Sequence, residues 1–249
     1  MPVDYSLLII VFFLGFLSHL VSALVGGGGL ISLPTMLLMG IPIHNAISAD
    51  KFGAVISTLL TSINSIRKKE VNLSECIMLF VIGLISGFIG GAFASSLNEK
   101  VLSTIAIILM IFAFAMTFYS NSFFGSNEKI INKRKTYQLL SAIGFYDGIF
   151  GPGSSTLAIY VFSNDQLQYY KAILFTRISL LGWCSGALIS YISSGHMIWA
   201  IAFAITGGAI IGGFLGVFIS KKIDLKYVKP LLRIMMLIIL VQLIIKMLG

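Results

Sequence analysis

Asp50, Lys51, Asp147 and Arg177 are ionisable residues that stand inside otherwise apolar stretches of this 249-residue chain. A charge at the centre of a bilayer costs about 2.5–3.5 kcal/mol on insertion scales, so such residues face polar cavities or one another. Two glycine-rich breaks also interrupt apolar runs, Gly26-Gly27-Gly28-Gly29 and Gly151-Pro152-Gly153-Ser154-Ser155-Thr156. Each break ends one helix, and the short apolar run after it starts another, with Pro34 inside the first. A helix N-terminus presents free N–H groups and a partial positive charge, which suits an anion. Glycine there lets the backbone approach a ligand closely. Gly27, Gly28, Gly29, Gly153, Ser154 and Ser155 are therefore expected to line a small-anion site. Lys51 and Arg177 would offset substrate charge. Asp50 or Asp147 would serve coupling or gating, neutralising the cations in the empty site or carrying a proton. The plainer alternative makes Asp50–Arg177 or Asp147–Lys51 structural ion pairs, with Lys51 snorkelling to its helix end.

Other chemistries find little support. No Gly-x-Ser-x-Gly motif occurs and no histidine has an obvious serine partner, so no catalytic residues are expected. His19 falls in the first hairpin, His44 follows Ile41-Pro42-Ile43 in an expected surface turn, and His196 lies in a loop. They form no clustered ligand set, and neither a metal nor a cofactor is expected. Ser48, Ser57, Thr58, Thr61, Ser62, Asn64 and Ser65 give one segment a polar side that either lines a pore or bonds across helices. Gly83, Gly87, Gly90, Gly91 and the glycines from 207 to 216 read as close-packing positions.

The elements that carry these residues must be membrane helices. The chain is 57% hydrophobic and 10% charged, against about 25% charged for a soluble domain. A helical span needs roughly 20 apolar residues. Apolar segments fall at 5–25, 30–40, 46–66, 73–97 and 101–119, then at 137–150, 154–163, 168–193, 197–219 and 228–248. The net charge of +8 sits in short clusters between them, the pattern of the positive-inside rule and not of a nucleic-acid binder. Cys76 and Cys184 form no CxxC pair, and the lack of a basic n-region argues against a cleaved signal peptide.

A constant offset of 126 residues aligns the two halves: Gly27 with Gly153, Gly87 with Gly213, Gly90 with Gly216, Lys51 with Arg177, Lys100 with Lys226. The expected organisation is a first repeat over 1–120, a basic cytoplasmic linker over 121–136 and a second repeat over 137–249. If 5–40 and 137–163 are re-entrant hairpins, loops 67–72, 121–136, 163–171 and 220–229 share one face and hold twelve Lys/Arg. The other face then holds Lys100 and Lys246. That asymmetry favours hairpins, and a hairpin plus three spans per half inverts one half against the other. The expected fold class is thus an all-α polytopic membrane protein of two inverted repeats.

The run from Val25 to Pro34, Ala49-Asp50-Lys51, the turn from Arg67 to Asn72 and the run from Gly144 to Gly153 together resemble the TauE/SafE family of sulfite exporter-like permeases. The likeness spans both halves, although Val25 and Ser154-Ser155 stand where that family's pattern has glycines. The resemblance implies a secondary transporter of the bacterial inner membrane for sulfite, thiosulfate, sulfoacetate or a related anion, with possible proton coupling and possible homo-oligomers. An anion channel, and a cation or proton-coupled carrier using Asp50 and Asp147, are the alternatives.

Overall fold

The computed structural model describes residues 4–25, 28–68, 70–119 and 132–220. Gly27, most of the linker, the loop 220–229 beyond Ser220 and the segment 228–248 lie outside the described residues. Nine helices are described: α1 (Tyr5–Val25), α2 (Gly29–Leu38), α3 (Ile43–Arg67), α4 (Leu73–Ser95), α5 (Glu99–Tyr119), α6 (Lys133–Ile149), α7 (Ser154–Asn164), α8 (Tyr169–Ser193) and α9 (Trp199–Ser220). Five of them, α1, α3, α4, α8 and α9, are long and apolar enough to cross a membrane. Their outer faces carry bare apolar side chains such as Phe13, Ile85 and Phe218, a surface that lipid covers and water would not tolerate. The protein is an all-helical, polytopic membrane protein.

The helices recur at the offset read from the sequence. Both α3 and α8 have 25 residues, and their first residues, Ile43 and Tyr169, are 126 apart. The starts of α4 and α9, Leu73 and Trp199, are 126 apart as well. Helix α6 begins at Lys133, a full polar turn before the apolar run at 137. Its 17 residues reach about 25 Å at 1.5 Å per residue. The apolar pattern misses this turn because Asn132 caps it from outside, its side chain accepting from the Lys135 N–H.

Contacts cross between the halves in matched pairs: α1 packs on α9 as α6 packs on α4, and α3 packs on α9 as α8 packs on α4. Glycines make these contacts close. A Cβ at Gly208, Gly212 or Gly216 would strike the backbone of Phe12, Phe16 or Leu20, so α1 and α9 run parallel. A Cβ at Gly83, Gly87 or Gly91 would strike Ser179, Trp183 or Ala187, which makes α4 and α8 parallel too. Helices α3 and α8 run antiparallel: Arg177, early in α8, bonds Thr61 late in α3. Cys184, farther along α8, instead reaches the carboxylate held by Lys51, early in α3. Since α1 and α3 point the same way, the chain between them returns to the face where it began, and α1 with α2 forms a hairpin. Helix α1 is nevertheless long, running beside α9 almost to its C-terminal end.

The two faces are tied by equivalent residues of different chemistry. On the face where α3 begins, His44 stacks on His196 with ring centroids 4.2 Å apart and contacts the Leu97 carbonyl through Nε2. His44 is buried, not in an open turn as expected, because the α8–α9 turn folds over it. On the opposite face the offset partners of those residues meet, and the Tyr170 hydroxyl donates to Glu70 at 2.9 Å. Lys171 also bonds the Glu70 carbonyl. Arg67, Lys68, Lys133, Arg134, Lys135 and Lys171 gather on this second face, against Lys100 on the first.

This charge asymmetry sets an expected outcome. Both native cysteines are buried, so engineered ones report cleanly. In intact cells an impermeant maleimide should label Ser194→Cys at once and Asn72→Cys only after permeabilisation. Labelling of both from one side would contradict the inverted arrangement.

Candidate functional site

The two helix breaks meet. Gly28 lies against α1, where a Cβ would strike the Ser18 carbonyl and the Ser22 side chain, and a Cβ on Gly29 would sit 3.3 Å from the Pro152 Cα. Gly151 and Gly153 take positive φ, +104° and +85°, which swings the chain from α6 into α7. Neither Gly28 before α2 nor Gly153 before α7 gives its helix a side-chain cap. Two helix N-termini therefore face a common space with their first N–H groups uncapped by side chains.

Breaking helices in lipid frees carbonyls as well, and these need partners. Tyrosines supply them. Tyr169 donates to the Leu24 carbonyl at the end of α1, and Tyr191 donates to the Ile149 carbonyl at the end of α6 at 3.1 Å. Tyr146 donates to the Pro152 carbonyl. The sequence reading overlooked all three, since a tyrosine in an apolar helix carries no mark of what its hydroxyl reaches.

Between the breaks lies a cavity with about 30 Å³ open to the centre of a water-sized sphere, room for roughly two waters. Gly28, Gly29, Gly153, Ser154 and Ser155 line it, together with Asp50, Lys51 and Asp147. Lys51 Nζ is 2.5 Å from Asp147 Oδ2, and both side chains are about 97–98% buried. The Ser154 hydroxyl donates to Asp147 Oδ1 at 2.6 Å, and the Cys184 thiol approaches Oδ2 at 3.7 Å. A Cβ on Gly151 would come within 2.6 Å of Lys51 Nζ, so that glycine leaves the pair its room. Asp50 differs, because its Oδ1 is buried with no hydrogen-bond partner.

Ser18, His19 and Ser22 of α1 and Cys184 of α8 also line the cavity, and sequence reasoning did not place them there. His19 was noted only as a hairpin residue, and nothing in its spacing shows that Gly28 folds back beside Ser18. His19 Nδ1 lies 3.2 Å from both the Gly15 carbonyl and the Ser18 hydroxyl. Arg177 does not line the cavity. It is 4% exposed, and its Nε donates to Thr61 Oγ1 at 2.8 Å and its Nη2 to Ser57 Oγ at 3.2 Å. Of the two ion pairs weighed from the sequence, Lys51–Asp147 is formed. Among the described residues no carboxylate lies within ion-pair distance of Arg177. The α3 hydroxyls bond across helices and along their own helix: Ser57 donates to the Ala209 carbonyl, and Thr58 and Thr61 donate to the carbonyls of Ala54 and Ser57.

A buried pair is costly to halve, because the survivor is an uncompensated charge. Removing one partner costs about 3–5 kcal/mol, and replacing both by neutral groups costs far less. Lys51→Gln alone should therefore lower thermal stability in detergent by that order, and Lys51→Gln with Asp147→Asn should recover most of it. Additive losses in the double variant would contradict the coupling of the two charges.

The family described as sulfite exporter TauE/SafE matches residues 11–243. The chain is 26% identical over 241 residues to a probable membrane transporter protein of Haemophilus influenzae, covering 94% of this chain and 93% of the relative. It is 27% identical over 240 residues to the probable membrane transporter protein YfcA of Escherichia coli K12, covering 94% and 86%. It is 26% identical over 266 residues to the probable membrane transporter protein YunE of Bacillus subtilis, covering 95% and 97%. No solved structure matches significantly. The helical architecture and these relatives agree with a multi-pass transporter of the bacterial inner membrane and not with an enzyme, and the chain belongs to the sulfite exporter TauE/SafE family.

Proposed function

We propose that the protein is a secondary carrier for a small anion, sulfite or a related sulfur oxyanion or organosulfonate such as thiosulfate or sulfoacetate. The substrate is held where the N-termini of α2 and α7 converge. One observation carries this reading: two helix N-termini without side-chain caps, from equivalent places in the two halves, open on one cavity that also holds Lys51. Each N-terminus is equivalent to about +0.5 charge, and both are fixed by the fold before an anion arrives. Gly28, Gly29, Gly153 and Ser155 supply backbone and hydroxyl donors, Ser154 turns its hydroxyl from Asp147 to the anion, and Gly27 belongs to the same glycine run. Lys51 supplies a movable cation, released from Asp147 as the anion takes its place. Arg177, which is engaged by Ser57 and Thr61, contributes its field and no direct contact. A cation carrier fits less well, because Lys51 and Ser154 already engage the Asp147 carboxylate.

In this reading residues 1–120 and 137–249 are inverted repeats joined by the linker 121–136, and the basic segments 67–72, 121–136 and 220–229 face the cytoplasm. The hairpins carry the binding site, and the spans of the two halves rock about it.

Reconstituted vesicles test the proposal with ³⁵S-sulfite. The wild type should show saturable uptake and counterflow, both inhibited by excess unlabelled thiosulfate or sulfoacetate. The double variant Lys51→Gln with Asp147→Asn should fold yet lose about tenfold or more in rate, as expected for removal of a charge-assisted contact. Conductive flux without counterflow would identify a channel. Absence of flux for every sulfur anion would overturn the substrate class.

A further inference from the structure

We propose that Tyr169 and His44 latch two opposite gates of the carrier: releasing Tyr169 opens the cavity to the basic face, and releasing His44 opens it to the other. The proposal rests on the carrier reading above, though not on which anion is carried, and adds the residues that control access.

The helices divide into two groups, each drawn from both halves. Glycines set α1 tightly on α9, as described, and Gly53 of α3 faces Ile205, Thr206 and Ala209 of α9. Ser57 of α3 also donates to the Ala209 carbonyl, so α1, α3 and α9 form one group. In the other, a Cβ at Gly144 or Gly148 of α6 would strike Ser86 or Gly87 of α4. One at Gly182 or Gly186 of α8 would strike Phe80 or Leu84 of α4. Backbones in such close contact move as a unit. The boundary between the groups is α3 against α8, and the glycines of both helices face away from it, Gly53 to α9 and Gly182 and Gly186 to α4. Side chains cross it instead, Arg177 to Ser57 and Thr61 and Lys51 to Asp147. Long side chains swing while keeping their partners, so the two groups rock about this boundary.

Two hydrogen bonds to backbone carbonyls tie the groups together on opposite sides of the cavity. Tyr169, the first residue of α8 on the basic face, donates to the Leu24 carbonyl in the last turn of α1. It precedes the cavity residue Cys184 by about 22 Å of helix. His44, at the start of α3 on the other face, lies with Nε2 3.0 Å from the Leu97 carbonyl just past α4. A carbonyl only accepts, so Nε2 is the donor. His44 precedes the cavity residue Lys51 by about 10 Å of helix. Because α3 and α8 are antiparallel, rocking that parts the groups at one latch presses them together at the other. Water entering on the open side takes over the freed carbonyl, which keeps the opening cheap.

The neighbouring contacts do not tie group to group. Tyr170 and Lys171 reach Glu70 in the α3–α4 turn, and His44 stacks on His196 in the α8–α9 turn. Both turns join the two groups covalently. Tyr191 supplies the decisive comparison. It donates to the Ile149 carbonyl at a helix break, much as Tyr169 does at Leu24, but α8 and α6 belong to the same group. A tyrosine needed only to satisfy a broken helix would serve equally at either place.

The native thiol at the cavity reads the gates directly. In full-length protein carrying Cys76→Ser, Cys184 is the one remaining cysteine and lines the cavity. Sealed membrane vesicles of each orientation are treated with 2-sulfonatoethyl methanethiosulfonate, which does not cross lipid. Unreacted Cys184 is then counted with a maleimide after unfolding. The starting protein should label slowly from both faces. Tyr169→Phe should raise the rate about tenfold from the basic face alone, the shift that one ordinary hydrogen bond gives a two-state equilibrium. His44→Phe, which keeps a ring against His196, should do the same from the other face alone. Tyr191→Phe should change neither rate. A latch is overturned if its variant leaves both rates unchanged, or raises both together as a loosened fold would. Both are overturned if Tyr191→Phe labels like Tyr169→Phe. No sulfite enters this assay, so absence of sulfite flux would overturn the substrate class and not the latches.

Discussion

Lys51 and Asp147 come from different halves of the chain, and inside hydrocarbon neither charge is tolerable alone. Their contact at 2.5 Å therefore does more than neutralise two side chains. It fixes α3 of the first half against the end of α6 in the second, at the level where α6 stops and α7 begins. Gly151 must stay without a side chain to admit it, and Ser154 opens α7 by donating to the same carboxylate. The second break is thus shaped around an ion pair whose cation belongs to the other half. A charge pair that a substrate anion can compete for is also one that can change partners, and this links the stability of the fold to its transport cycle.

The bilayer imposes the second constraint. Interrupted helices leave N–H and C=O groups that lipid cannot satisfy. The carbonyl ends find tyrosine hydroxyls, with Tyr169 and Tyr191 reaching across from α8 to the ends of α1 and α6. The N–H ends receive no side-chain cap and point at a cavity. Donors left without a side-chain cap beside a cavity suit an anion better than a cation. The equivalent ties at the two faces also differ, with a histidine stack on one side and a tyrosine–glutamate pair on the other closing the same joint.

Much of this was legible in the residues. The offset of 126, read from matching glycines and charges, recovers the starts of α3 and α8 and of α4 and α9. The two breaks, their convergence and the Lys51–Asp147 pair were all within reach of spacing and residue type. Arg177 shows where that reasoning stops. It is the counterpart of Lys51, yet the position equivalent to Asp147 is Val21. Arg177 accordingly turns to Ser57 and Thr61 and leaves the cavity to Lys51 alone. Symmetry of sequence gives equivalent backbone positions, while the partners at those positions decide where a long side chain goes. His19, Ser18 and Ser22 escaped for a related reason: they join the cavity because the chain folds back on α1 at Gly28, a contact that no local pattern records, while Cys184 joins it from α8 beside the Asp147 carboxylate.

In the proposed carrier an anion binds between the two helix N-termini at Lys51. Thermal unfolding of the purified protein in detergent, with sodium sulfite against sodium gluconate at equal ionic strength, tests it most directly. A ligand at 100 times its Kd stabilises the folded state by about 2.7 kcal/mol, so sulfite should raise the wild-type Tm by several degrees. The folded double variant Lys51→Gln with Asp147→Asn should show no such rise. An equal rise in that variant, or none in the wild type at any sulfite concentration, would contradict the account.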